Sequence, residues 1–271
     1  MTTATAVVNP VPGQGGTAKP FPLIRHSAAL AKRSLLKTMR TPEALIDVTL
    51  QPVIFLLLFT YVFGGAIAGS QSVYLQYLLP GILAQTIAMS ATAIGVNMNT
   101  DISKGVFDRF RSLPIARSAP LVGAVLADFV RYALVAVITL SVGYAIGFRI
   151  HTDPLQAAFA LLMAAVFALA LSWVSVFLGM VARTPGAVQG MMILLVLPLS
   201  FGSNTFVQTS TLPGWLQGFV NVNPITHLAG LSRNLLLGGP VTSHLLWTTG
   251  WIAGLTAVFM PLALRAYGRK V

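Results

Sequence analysis

The chain has 271 residues, 55% of them hydrophobic and 8% charged, with a net charge of +11 and no cysteine. Its mean hydropathy is +0.79, whereas soluble domains carry about 25% charged residues, so an ordinary water-soluble fold is excluded. The missing cysteine excludes a disulfide framework, a thiol nucleophile and a thiolate metal site.

Residues 1–20 are rich in Thr, Ala, Gly and Pro and lack a charged start followed by an apolar core. They predict a disordered cytoplasmic tail rather than a cleaved leader. Residues 21–41 predict an amphipathic helix. Ile24, Ala28, Ala31, Leu35 and Met39 share one stripe, with His26, Arg33, Lys37 and Arg40 opposite. Such a helix lies along the cytoplasmic interface, its cations near the headgroups of membrane lipids. Thr41-Pro42-Glu43 then opens a transmembrane domain over 42–271, Thr41 as cap and Pro42 at the first helical position.

Six apolar runs read as membrane spans: 48–67, 77–98, 121–147, 155–182, 187–202 and 245–264. Strands of a barrel would alternate over about 10 residues. Continuous runs in lipid must instead satisfy their backbone internally, so the fold class is all-α integral membrane. With six spans, 14 Lys/Arg fall on one side and only Arg149 and Arg233 on the other, with Arg131 inside a span. Basic loops face the cytoplasm, which places both termini there. The positive charge is thereby a topology signal, and nucleic acid is not expected as a partner.

In the second span Gln85, Thr92 and Asn99 recur every seven residues, beside a stripe of Thr86, Ser90 and Asn97. Leu83, Ile87, Ile94 and Met98 occupy the far face. The polar side prefers protein or water; it serves either helix packing or a substrate path through Gln85, Thr86, Ser90, Thr92 and Asn97. After this span comes Asp101-Ile-Ser-Lys-Gly-Val-Phe-Asp-Arg-Phe-Arg-Ser-Leu-Pro114, a charged island holding six of the chain's 23 ionisable Lys, Arg, Asp and Glu residues between Asp101 and Arg117. A lipid-bound basic turn would suit Arg109 and Arg111, but anionic headgroups repel Asp101 and Asp108. A protein partner is therefore expected, with Phe107 and Phe110 as apolar anchors.

The third span holds the only charges within an apolar run, Asp128 and Arg131, three residues apart and able to pair. They predict a clamp near the inner boundary. Between spans five and six, 212–220 and 225–237 predict two short helices lying at or re-entering from the outer face, separated by Asn223-Pro224 and stopped by Gly238-Gly239-Pro240. His227 and Arg233 are then anchors rather than catalysts, and Trp215, Trp247 and Trp251 fit an aromatic belt. The pairs Gly143/Gly147, Gly186/Gly190 and Gly250/Gly254 have the spacing of close helix contacts.

Several chemistries are missing. No lysine follows a glycine, so no G-x-x-x-x-G-K cradle for ATP exists, and the four histidines are scattered. No acid pair, G-x-S-x-G elbow or metal-binding cluster is visible, and no enzyme activity is expected of this chain.

Leu79-Pro80-Gly81 and the run from Asp101 to Arg117, with Ala127-Asp128-x-x-Arg131, Asn223-Pro224-x-Thr226-His227, Gln51-Pro52 and Phe63-Gly64-Gly65, resemble the permease subunits of type-2 ATP-binding-cassette exporters. The similarity is to the daunorubicin-resistance permease branch and spans about residues 20–268. It implies a six-helix half-transporter of a bacterial plasma membrane, paired with a second permease copy. A separate ATPase subunit would carry ATP and magnesium. The resemblance also implies that Asp101, Lys104, Gly105, Phe107, Asp108, Arg109, Phe110, Arg111 and Leu113 form a coupling helix against that ATPase, and that spans one, two and five line the path. The rival readings are an ion-coupled secondary carrier, which needs a midplane ion site, and an anchoring protein without transport.

Overall fold

The computed structural model describes residues 42–105 and 119–270. The tail at 1–20, the helix expected at 21–41 and the loop residues Phe107, Asp108, Arg109, Phe110, Arg111 and Leu113 lie outside the described residues. Every regular element among those described is a helix. The first span is α1 (Pro42–Leu58), a π turn (Phe59–Phe63) and α2 (Gly64–Ala68). The second is α3 (Gln71–Ser90) with α4 (Thr92–Ser103), followed by α5 (Ala119–Ala145) and α6 (Pro154–Val181). Then come α7 (Pro185–Phe201), α8 (Gly214–Val222), α9 (Pro224–Leu237) and α10 (Thr242–Lys270).

Among the described residues, five helical stretches are long and apolar enough to cross a membrane: Leu50–Ala68, Gln71–Ser103, Asp128–Ala145, Pro154–Val181 and Thr242–Arg269. The expected fifth span, α7, is a shorter apolar helix of 17 residues. At 1.5 Å per residue it is about 25 Å long, against ~30 Å of hydrocarbon. Its ends are set locally. Thr184 accepts from the Ala187 amide at 3.2 Å, Pro185 takes the first turn, and the Gly202 amide closes the helix on the Pro198 carbonyl at 2.8 Å.

The centre of the bundle is α6, which packs against α10, α4, α5 and α9. Of its apolar window 67% is buried, against 6% for that of α10, so the latter faces outward along most of its length. Inside α6, alanines and serines such as Ala164, Ala168, Ser172 and Ser175 are fully buried. Small side chains there let neighbouring backbones approach. The second span is the other buried element, held by α9, α5 and α1 around its first half and by α6 and α7 around its second.

The second span is not one continuous helix. It breaks at Ala91 between α3 and α4. The turn from the first span is tight: Gly69 is left-handed at φ 70°, Ser70 caps α3 through the Val73 amide, and a Cβ on Gly64 would stand 3.1 Å from the Gln71 Cα. Of the three glycine pairs, only Gly143 is pressed against a neighbour, the Leu79 side chain, and Gly147 is a positive-φ turn. Gly186, Gly190, Gly250 and Gly254 have nothing within 4 Å of an added Cβ. Two helices, α8 and α9, stand between the last two apolar helices at the expected places.

Candidate functional site

A cavity of about 450 Å³ opens beside the break in the second span. Gln85, Thr86, Ser90, Thr92 and Asn97 all line it, so the structure brings the five expected path residues to one space. Helix α1 adds Gln51, Pro52 and Phe55, α7 adds Gln189 and Ile193, and α5 adds Arg131. Ile82, Met89, Ala93 and Val96 complete the second-span side of the wall. The polar stripe of the second span divides here. Gln85 and Thr92 face the cavity, whereas Asn99 is fully buried in helix packing.

Arg131 and Asp128 do pair, at 3.1 Å. The pair lies within α5, with Asp128 nine residues after Ala119, about 14 Å along the helix at 1.5 Å per residue. Arg131 also donates from Nη2 to the Ser90 carbonyl at 3.1 Å. At an interrupted helix this carbonyl loses its usual partner four residues on, and the guanidinium supplies a replacement. Two residues later the Thr92 carbonyl accepts from Ser175 Oγ at 2.9 Å, and the same hydroxyl accepts from the Gly95 amide at 3.1 Å. Asn99 Nδ2 then donates to the carbonyls of Gly179 and Ala182, both at 2.9 Å, closing the end of α6. A polar seam therefore runs along α4 and α6 where both backbones are bare: a Cβ on Gly179 would lie 2.5 Å from the Gly95 carbonyl oxygen.

Helix α4 ends at Ser103. Lys104 is exposed, Asp101 is half-buried, and Gly105 takes φ 65° while its amide bonds to the Ile102 carbonyl at 3.0 Å. A left-handed glycine just past a helix end closes the helix and redirects the chain. These three are the members of the expected coupling set that the structure describes.

At the opposite end of the second span, Tyr77 and Arg233 hold the segment after α7. Tyr77 donates its hydroxyl to the carbonyls of Asn204 and Val207 at 2.7 and 3.0 Å. The Arg233 guanidinium lies 3.9 Å over the Tyr77 ring and donates to the carbonyls of Tyr77 and Asn204. Asn223 caps α9 by accepting from the Ile225 amide at 2.9 Å, and donates to the Leu199 and Gly202 carbonyls, both at 2.7 Å. Pro224 fills the first turn of α9. His227 stacks on Trp247 with centroids 4.9 Å apart, faces His244 Nδ1 at 3.4 Å, and contacts the Asn221 carbonyl through Nε2 at 2.9 Å. Burial pushes its imidazole below the ordinary range, against the backbone hydrogen bond to Asn221. Among the described residues no group of three or more His, Cys, Asp or Glu could hold a metal ion.

The sequence model of the ABC-2 type transporter family matches residues 26–237. The chain belongs to that family. It is 41% identical over 284 aligned residues to the daunorubicin resistance ABC transporter permease protein DrrB1 of Streptomyces coeruleorubidus, covering 100% of this chain and 99% of the relative. The doxorubicin resistance ABC transporter permease protein DrrB of Mycobacterium tuberculosis is 33% identical over 220 residues, 78% of this chain and 75% of the relative. The probable doxorubicin resistance permease DrrC of the same organism is 23% identical over 256 residues, 94% of this chain and 92% of the relative.

In this ABC-2 permease some residues of the site escaped the sequence reading. Gln51 stood out only as part of a motif, and Gln189 not at all, although both are amides inside apolar runs and that contrast was visible. Ser175, Gly179 and Gly95 gave no such contrast, because small residues are common throughout this ABC-2 permease.

Proposed function

We propose that this chain is the membrane-spanning permease subunit of an ATP-driven exporter. It forms the path for a hydrophobic or amphipathic substrate, such as a drug, antibiotic, lipid or lipid-linked glycan. Two copies flank the path in a bacterial plasma membrane, both termini are cytoplasmic, and α8 and α9 re-enter from the outer face. The ATPase is a separate chain that holds ATP and magnesium. It docks on the loop from Asp101 to Arg117, with Phe107 and Phe110 as anchors and Asp108, Arg109 and Arg111 as charged partners.

One observation carries the reading: the polar face of the second span, the first span and α7 converge on a single cavity, and the same second span continues through α4 into that loop. The names of the relatives, daunorubicin and doxorubicin resistance permeases, favour an amphipathic cargo. A secondary carrier is disfavoured because Asp128 and Arg131 pair at 3.1 Å and neutralise each other.

The test is to co-express the chain with a separate ATP-binding-cassette ATPase subunit and follow doxorubicin uptake into inverted membrane vesicles. ATP-dependent accumulation is expected; accumulation unaffected by ATP, or none, overturns the proposal. Phe107→Ala with Phe110→Ala is expected to weaken copurification of the ATPase while membrane insertion persists, and unchanged copurification removes the docking role.

A further inference from the structure

We propose that the break at Ala91 is a hinge, that Arg131 and Ser175 are the positioning residues that keep it open, and that α4 turns about it relative to α3 during transport. The inference rests on the chain being an ATP-driven permease. Alanine is a strong helix former, so the interruption between α3 and α4 does not come from Ala91 itself.

In a continuous helix the Ser90 carbonyl would take the Ile94 amide, and the Ala91 carbonyl the Gly95 amide. Here Arg131 Nη2 donates to the Ser90 carbonyl at 3.1 Å. The Gly95 amide donates to Ser175 Oγ at 3.1 Å, and that hydroxyl donates to the Thr92 carbonyl at 2.9 Å. A side chain set into the hydrogen-bond ladder is one of the few causes of a sharp helix interruption. Ser90 Oγ turns back on the Thr86 carbonyl at 2.8 Å, which bends the end of α3 further. Arg131, from α5, therefore caps the end of α3, and Ser175, from α6, caps the start of α4. The second span is two helices, each closed by a different neighbour.

The two halves are also packed into different parts of the bundle. Helix α3 is held by α9, α5 and α1. A Cβ on Gly81 would stand 2.8 Å from the Thr205 Cα, and the Tyr74 hydroxyl donates to the Phe206 carbonyl at 2.9 Å. Helix α4 is held by α6 and α7, with Gly95 and Gly179 in backbone contact. Both halves supply the cavity wall, Gln85 and Thr86 from α3, Thr92 and Asn97 from α4. A turn at Ala91 thus changes the distance between those pairs and reshapes the cavity. The alternative setting costs few bonds. Straightening exchanges Arg131 and Ser175 for the Ile94 and Gly95 amides, bond for bond, which makes two discrete arrangements rather than a continuum. Arg131 Nε is buried with no partner among the described residues, so the guanidinium keeps a donor in hand for the second setting. Helix α4 runs on to Ser103, which gives a force applied at that end a lever on the cavity.

The chain has no cysteine, so paired spin labels can be placed without background. Val73→Cys with Thr100→Cys reads across the break, and Leu155→Cys with Val181→Cys reads along the unbroken α6. Distances are measured by double electron–electron resonance on the permease with its ATPase in lipid nanodiscs, with and without ATP trapped by vanadate. The first distance, about 40 Å in a straight helix of that length, is expected to shift by ~2 Å or more between the two conditions, and the second to stay. Asp128→Asn with Arg131→Leu and Ser175→Ala removes both caps without leaving a lone buried charge. The span should then fuse: the Val73–Thr100 distance lengthens and no longer responds to ATP, and ATP-dependent doxorubicin uptake falls at least tenfold. Asp128→Asn alone keeps the donor to Ser90 and should keep the response. An unchanged distance in the otherwise wild-type complex, an equal shift along α6, or a capless variant that responds like wild type overturns the inference. If the triple variant does not assemble, the comparison of the two label pairs still decides. Uptake is scored separately. Uptake with a constant distance sinks only the hinge, and a moving distance without uptake sinks only the export reading.

Discussion

Gly179→Ala tests the contact on which the middle of the bundle depends. An added Cβ would stand 2.5 Å from the Gly95 carbonyl oxygen, where ordinary contact begins at 3.4 Å, so α4 and α6 must part by about 0.9 Å (3.4 minus 2.5). That movement stretches the Gly95 amide to Ser175 Oγ bond from 3.1 Å to about 4 Å and the Asn99 to Gly179 bond from 2.9 Å to about 3.8 Å, beyond useful hydrogen-bond length. Overpacking of this kind costs about 1–3 kcal/mol. The seam has four interhelical hydrogen bonds; at about 0.6 kcal/mol each they add about 2 kcal/mol. The sum, about 3–5 kcal/mol, is a large share of a typical folding free energy and corresponds to a fall in Tm on the order of 10 °C. The assay is thermal unfolding of the detergent-solubilised protein. Gly250→Ala is the control, since its Cβ meets nothing within 4 Å; it should melt within a degree or two of wild type. Equal melting of Gly179→Ala and wild type, or an equal fall in the control, refutes the reasoning.

Three further outcomes follow from the polar groups. Arg131→Met leaves Asp128 buried without its partner and should cost about 3–5 kcal/mol; exchanging the two charges should recover only part of this, because the Ser90 carbonyl keeps no donor. An exchange that melts no higher than Arg131→Met would show that the pair contributes nothing. Asn223→Ala removes three hydrogen bonds joining the end of α7 to the start of α9 and should lower stability by about 1–3 kcal/mol. Asn223→Asp keeps only the cap oxygen, so a full recovery in that variant would contradict the two-donor role. His227 is held neutral below its ordinary value of 6.5, so the unfolded chain takes up the proton first as pH falls. Its stabilising contribution is present above about pH 6.5 and is lost below it. Tm should drop between about pH 7.5 and 5.5, and His227→Gln should flatten the slope without abolishing it, since His244 faces the same ring. An unchanged slope removes His227 from the cause.

The helical architecture was legible because lipid leaves the chain few choices. Long apolar runs mark α1, α3 with α4, α5, α6 and α10 to within a few residues, and Asn223-Pro224 and Gly238-Gly239 bracket α9 as expected. Less legible was which helix stands at the centre. Both α6 and α10 are apolar enough to cross a membrane, at mean hydropathies of 2.4 and 1.4, yet 67% of one window is buried and 6% of the other. The difference lies in which face is smooth. Ala164, Ala168, Ser172, Ser175 and Gly179 let neighbours close on α6 from several sides, whereas Gly250 and Gly254 meet open space.

The cavity was half visible for a related reason. Period and polarity located Gln85, Thr86, Ser90, Thr92 and Asn97 on one side of the second span, and all five reach the cavity. Nothing local marks the break beside them. Ala91 is neither proline nor glycine, and alanine is a strong helix former. The interruption coincides with tertiary donors: Arg131 from the third span takes the Ser90 carbonyl and Ser175 from the fourth takes the Thr92 carbonyl. Each donor lies about 40 or more residues away in the chain, at separations of 41 and 83. A helix break made by distant side chains leaves no punctuation in its own sequence. The same logic separates Asn99 from Gln85. Both share the seven-residue stripe, but only Asn99 finds the bare carbonyls of Gly179 and Ala182 within reach, and the amide left without such a partner is the one that faces the cavity.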